Sequence, residues 1–114
     1  MLRSFALIDG RLGDARVGTF IYDSDTRQFS MTISRDIPPD DLPLSLEGFV
    51  FRGKYELTHE DTLRWIRRRL CPPGRHNIRE ILRGNGLEEY DEFGFLMVTK
   101  AKCDNDELYL VEEA

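Results

Sequence analysis

The chain has 114 residues, 40% hydrophobic and 32% charged, with a formal net charge of −5. That length and balance suit one domain, residues 1–114, burying roughly two-thirds of its unfolded surface, and they exclude general disorder. The opening MLRSFALIDGRLGD has no apolar run long enough for a signal peptide or a membrane span, so a cytoplasmic protein with no membrane partner is expected.

The first third reads as short strands. SFALID (Ser4 to Asp9), VGTFIYD (Val17 to Asp23) and QFSMTIS (Gln28 to Ser34) are separated by the polar segments GRLGDAR and SDTR. In the third run Phe29, Met31 and Ile33 alternate with Gln28, Ser30, Thr32 and Ser34, the period of a half-buried antiparallel strand. DIPPDDLP then leaves the sheet as a turn-rich connection. LSLEGFVFRGKYEL fits two patterns: Leu44, Leu46 and Phe49 suit a short helix, and Phe49, Phe51 and Tyr55 suit a short strand.

The middle reads as helical. Thr58 and Asp61 stand in the S/T-x-x-D/E relation that starts a helix, and Pro72-Pro73 stops it after Leu70. Over 59–70 the apolar stripe is Leu63, Ile66 and Leu70, with Trp65 off it. A second helix is expected over 76–84, where Asn77 and Glu80 have capping-box spacing and Ile78, Ile81 and Leu82 face inward. Tyr90, Phe93, Leu96 and Met97 predict a helix over 89–99, and a final strand follows from Glu107 to Val111. The expected fold class is α+β: a small antiparallel sheet of N-terminal hairpins plus the C-terminal strand, packed against two or three short helices.

The charge is unevenly placed. Residues 1–63 hold seven bases and eleven acids, residues 64–83 seven bases and one acid, and residues 84–114 two bases and nine acids. Arg64 and Arg68 fall on one side of the first helix, Arg67 and Arg69 flank its stripe, and Arg75, Arg79 and Arg83 recur every four residues in the second. Three readings follow. The arginines pair with the acids that come after them, they meet an acidic protein partner, or they contact nucleic acid phosphates. On the partner reading, Arg64, Trp65, Arg68, Arg75, Arg79 and Arg83 form the binding surface, with Trp65 as anchor.

No catalytic or metal constellation is legible. The helix pair with its CPPGR linker has the outline of a helix-turn-helix, in which His76, Asn77, Arg79 and Arg83 would read bases. DEFG (Asp91 to Gly94) lacks the Gly-rich loop and catalytic-loop motif that would make it a kinase element. His59 and His76 have no ligand at zinc-site spacing, and Cys71 and Cys103 read as reduced thiols. No cofactor and no enzymatic activity are expected.

The segment ARVGTFIYDSDTRQFSMTISRDIPPDDLPLSL resembles the amino-terminal subdomain of HipA-type toxin kinases. The matching residues are Val17, Gly18, Tyr22, Asp23, Phe29, Ser30, Pro43, Leu44 and Ser45, covering about a quarter of the chain; after Ser45 the sequence runs LEGFVFRG, where the toxins continue Ser-Leu-Pro. The second half, with WIRRRLCPPGRHNIREILRGNGLEEYD and DNDELYL, is similar to short Firmicutes proteins with a W-x3-R…P…R-x-x-I pattern. The resemblance implies a bacterial interaction module detached from the kinase core, binding a kinase-like toxin or a regulator. No ATP-binding or catalytic residue of those kinases matches a position here.

Overall fold

The computed structural model describes residues 1–69, 92–102 and 106–113. The helix expected over 76–84, with Arg75, Arg79 and Arg83, lies outside the described residues, as do Leu70, Cys71, residues 89–91 and Cys103.

The fold is α+β. In chain order the elements are β1 (Leu2–Asp9), β2 (Ala15–Asp23), β3 (Gln28–Ile33), α1 (Leu44–Phe51), β4 (Glu56–Leu57), α2 (His59–Arg67), α3 (Glu92–Thr99) and β5 (Leu108–Glu112). One five-stranded sheet runs β4-β3-β2-β1-β5, with every neighbouring pair antiparallel. LSLEGFVFRGKYEL, which fits both helix and strand, contains both, as α1 and β4 are joined by a turn at Gly53 in the left-handed region (φ 77°).

The β1–β2 pair carries a bulge. Leu7 faces Gly18 and Ile8 faces Arg16, so Val17 is the extra residue; it is buried, and its carbonyl accepts from the Ser34 amide at 2.8 Å. Gly18 is required there, because a Cβ would lie 2.4 Å from the Thr32 carbonyl oxygen on β3. The β2–β3 turn closes with Arg27 in the left-handed region (φ 57°), while the Asp23 carboxylate accepts from the Asp25 amide at 3.0 Å.

Alternation assigns the two sheet faces. Phe5, Leu7, Phe20, Tyr22, Phe29, Met31 and Ile33 all lie on the buried face, with Leu108 and Leu110 from β5. The helices cover this face and add Leu46, Phe49, Trp65, Ile66 and Leu96 to the same core. Each such side chain contributes about 1.5–3 kcal/mol of burial. Aromatic rings tie the layers together: Phe20 lies 5.9 Å from Phe5 and 6.4 Å from Trp65, and Phe93 of α3 stacks on Tyr22 at 3.9 Å. The opposite face carries Ser30 and Thr32, both exposed, and the Arg16–Glu113 ion pair. Among the described residues no helix is long and apolar enough to cross a membrane.

Candidate interaction surface on the second helix

The site is built on α2. Thr58 caps it as its spacing predicts, the hydroxyl accepting from the Asp61 amide at 3.2 Å. His59 opens the helix with its ring stacked on Phe29 at 5.6 Å, and its Nδ1 accepts from the Phe29 amide at 2.9 Å. That bond fixes the helix start against β3 and gives His59 a positional role.

α2 ends at Arg67, short of Leu70, and its buried face differs from the predicted stripe. Asp61, Thr62, Trp65 and Ile66 are buried, whereas Leu63 is only half-buried. Trp65 is therefore a core residue, 1% exposed, and does not stand open as a partner anchor. The expectation that placed it off the apolar face is corrected. Its replacement by alanine would remove core packing worth about 3–5 kcal/mol and would report on folding, not on an interface.

The polar residues turned inward are satisfied close by. The Thr62 hydroxyl donates to the Thr58 carbonyl at 2.7 Å, and Asp61 lies 3.3 Å from Lys54 and 3.7 Å from Arg64. Burial opposes ionisation of Asp61, but hydrogen bonds from Lys54 and Thr58 outweigh it and hold the carboxyl below its ordinary range.

The four described arginines of the basic segment, Arg64, Arg67, Arg68 and Arg69, separate in the structure. Arg69 is spent internally: its side chain is 2% exposed and forms a two-pronged pair with Asp106, both N–H···O distances 2.7 Å. Its Nε donates to the Ala101 carbonyl at 2.7 Å, a further N–H reaches the Leu108 carbonyl at 3.3 Å, and the guanidinium lies 4.6 Å over Trp65. Asp106 also accepts from the Ser45 hydroxyl at 3.1 Å and the Leu108 amide at 3.0 Å. Burial pushes the Asp106 carboxyl up, and the Arg69, Leu108 and Ser45 hydrogen bonds more than reverse this, leaving it below the usual range. One arginine thus joins the end of α2, α1, the turn after α3 and the start of β5.

Arg64, Arg67 and Arg68 remain on the outside. The side chains of Arg64 and Arg67 are 65% and 62% exposed, and Arg68 is exposed beside them. Arg67 reaches Glu92 of α3 at 3.6 Å, a loose and partly hydrated pair. The structure thus brings together Arg64 and Arg68 of the predicted set, adds Arg67 to them, and removes Trp65. The buried Arg69–Asp106 pair left one signal in the sequence, the acidic block that follows the basic one; its register could not be read because the pairing spans 37 residues.

Among the described residues no group of three or more His, Cys, Asp and Glu is placed to hold a metal ion. No protein-family model, curated protein or solved structure matches this chain.

Proposed function

We propose that the chain is a non-enzymatic protein-interaction module that presents Arg64, Arg67 and Arg68 to an acidic surface of a partner protein. The observation that carries this reading is the division of labour among neighbouring arginines. Arg69 is locked into the core, while three guanidinium groups within five residues stay exposed and at most loosely paired. Guanidinium groups held on a short helix whose other side is fixed in a core are pre-organised for carboxylates. Arg75, Arg79 and Arg83 extend the same basic segment in sequence. The resemblance of residues 15–46 to the amino-terminal subdomain of HipA-type kinases narrows the partner to a kinase-like toxin or a regulator in a toxin–antitoxin complex.

The test is binding of the purified chain to a HipA-type kinase from the same organism, measured across a salt series. Arg64→Glu with Arg68→Glu should leave the fold unchanged and weaken binding at least about tenfold, mainly through the association rate. Binding that survives the double reversal removes this face from the interface. Tight duplex DNA binding that weakens steeply with salt, lost in the same variant, would replace the reading with that of a small DNA-associated regulator.

A further inference from the structure

A second surface, sharing no residue with the arginine face, lies along β5. This strand ends the sheet order, so among the described residues one of its sides has no neighbouring strand. The Glu113 amide donates to the Ser4 carbonyl at 2.8 Å and the Gly10 amide to the Glu107 carbonyl at 3.0 Å. These bonds turn the odd-numbered main-chain groups of β5 toward β1, and those of Leu108, Leu110 and Glu112 toward the open side.

The first half of that side is closed by the chain itself. The Leu108 amide donates to Asp106 at 3.0 Å, the Leu108 carbonyl accepts from Arg69 at 3.3 Å, and the Leu110 amide donates to the Lys100 carbonyl at 2.9 Å. The Leu110 carbonyl and both main-chain groups of Glu112 have no hydrogen-bond partner among the described residues. Beside them runs a groove of about 280 Å³, lined by Arg3, Phe5, Met97, Lys100, Leu110 and Glu112. Phe5, Met97 and Leu110 supply its apolar walls, and Arg3, Lys100 and the Glu112 carboxylate its charged rim. Arg3 is held by Glu112 at 2.7 and 2.8 Å, while Lys100 is exposed and makes no ion pair among the described residues.

We propose that this edge and groove bind the C-terminal end of an extended peptide from a partner protein. Its last residues pair antiparallel with Leu110–Glu112, its terminal apolar side chain enters the groove, and its carboxylate meets the Lys100 ammonium. The direction follows from the blocked half of the edge. An added strand can run along Glu112 but must stop at Leu110, where the Lys100 main chain already occupies the edge. An antiparallel peptide arrives at that point with its C-terminus, next to the cation. A parallel one would place its amino terminus there, against a like charge. Main-chain pairing supplies affinity in this mode, and the single apolar pocket with its cation supplies selectivity.

The experiment uses the full chain, isotope-labelled, titrated with the peptide Gly-Thr-Val-Thr-Leu bearing a free carboxylate and with its C-terminal amide. Binding of the acid form should shift the Glu112 amide resonance and slow its hydrogen exchange. The amide form, and the acid form on Lys100→Gln, should each bind at least about tenfold more weakly. The acid–amide comparison on the unaltered chain stands even if Lys100→Gln fails to fold. Arg64→Glu with Arg68→Glu should bind the peptide as the parent does, which separates this site from the arginine face. An undisturbed Glu112 amide at millimolar peptide, or equal binding of the two peptide forms, overturns the proposal.

Discussion

Replacing Arg69 by alanine tests whether the buried pair organises this domain. Arg69 and Asp106 are 2% and 8% exposed, so removing the guanidinium leaves a carboxylate in the interior with two of its donors gone, and strips donors from the Ala101 and Leu108 carbonyls. Breaking a buried pair in this way costs about 3–5 kcal/mol, against a total stability of about 5–15 kcal/mol for a domain of this kind. At about 4–5 °C per kcal/mol the expected fall in Tm is about 12–25 °C. Urea and thermal unfolding followed by far-ultraviolet circular dichroism measure it. Trp65 fluorescence is a poor probe here, because the lost guanidinium lies directly over the indole. Arg69→Met with Asp106→Leu removes both charges and should recover part of the loss. The Ser45 hydroxyl, the Leu108 amide and the Ala101 carbonyl still lose partners, so the recovery stays incomplete. A loss below about 1 kcal/mol for Arg69→Ala would refute the argument, since that is the magnitude of a hydrated surface pair.

Three further outcomes are expected. The folded-state pKa values of Asp61, Asp106 and Glu112 lie below their unfolded values, so their stabilisation is complete above the ordinary carboxylate range and is lost as pH falls through the lowered values. Unfolding free energy should therefore fall below about pH 4, and Asp106→Asn should flatten that slope in a urea series run at several pH values. Gly18→Ala forces a methyl against the Thr32 carbonyl, and should cost about 1–3 kcal/mol or more by chemical denaturation. Lys100 ends α3 in the left-handed region (φ 55°), with the Ala101 amide closing back on the Leu96 carbonyl at 3.0 Å, a position where glycine is the usual residue; Lys100→Gly should raise stability by up to about 1 kcal/mol in the same assay.

Local patterns carried most of the fold. The alternation in β3 and the polar turn before it specify the hairpin, and the Thr58–Asp61 spacing marks where α2 begins. The buried side of α2 was not legible. Its Asp61 and Thr62 are polar residues turned inward and satisfied by Lys54, Arg64 and Thr58, so the apolar stripe drawn through Leu63 and Ile66 points about 100° away from the side that packs. Hydrophobic periodicity cannot register a polar residue that finds its partner locally, and so it places Trp65 outside a core that this residue helps fill. The end of α3 at Thr99 falls where the sequence predicts it, and only the left-handed turn at Lys100 goes unannounced, because no glycine stands there. The β5 groove depends on an edge orientation that only the strand register supplies.

The pairing of β5 with β1 also dictates how the chain acquires its structure. The two strands meet across almost the whole sequence, Arg3 reaching Glu112 over a separation of 109 residues. β2, β3 and β4 can assemble on β1 as local hairpins and short connections, but β1 keeps an exposed edge until the last strand arrives. Such long-range closure places the domain among slower-folding topologies, in the millisecond-to-second range. During synthesis β1 is the strand most open to wrong pairing, and the interval between its emergence and that of β5 is when this protein is most vulnerable to aggregation.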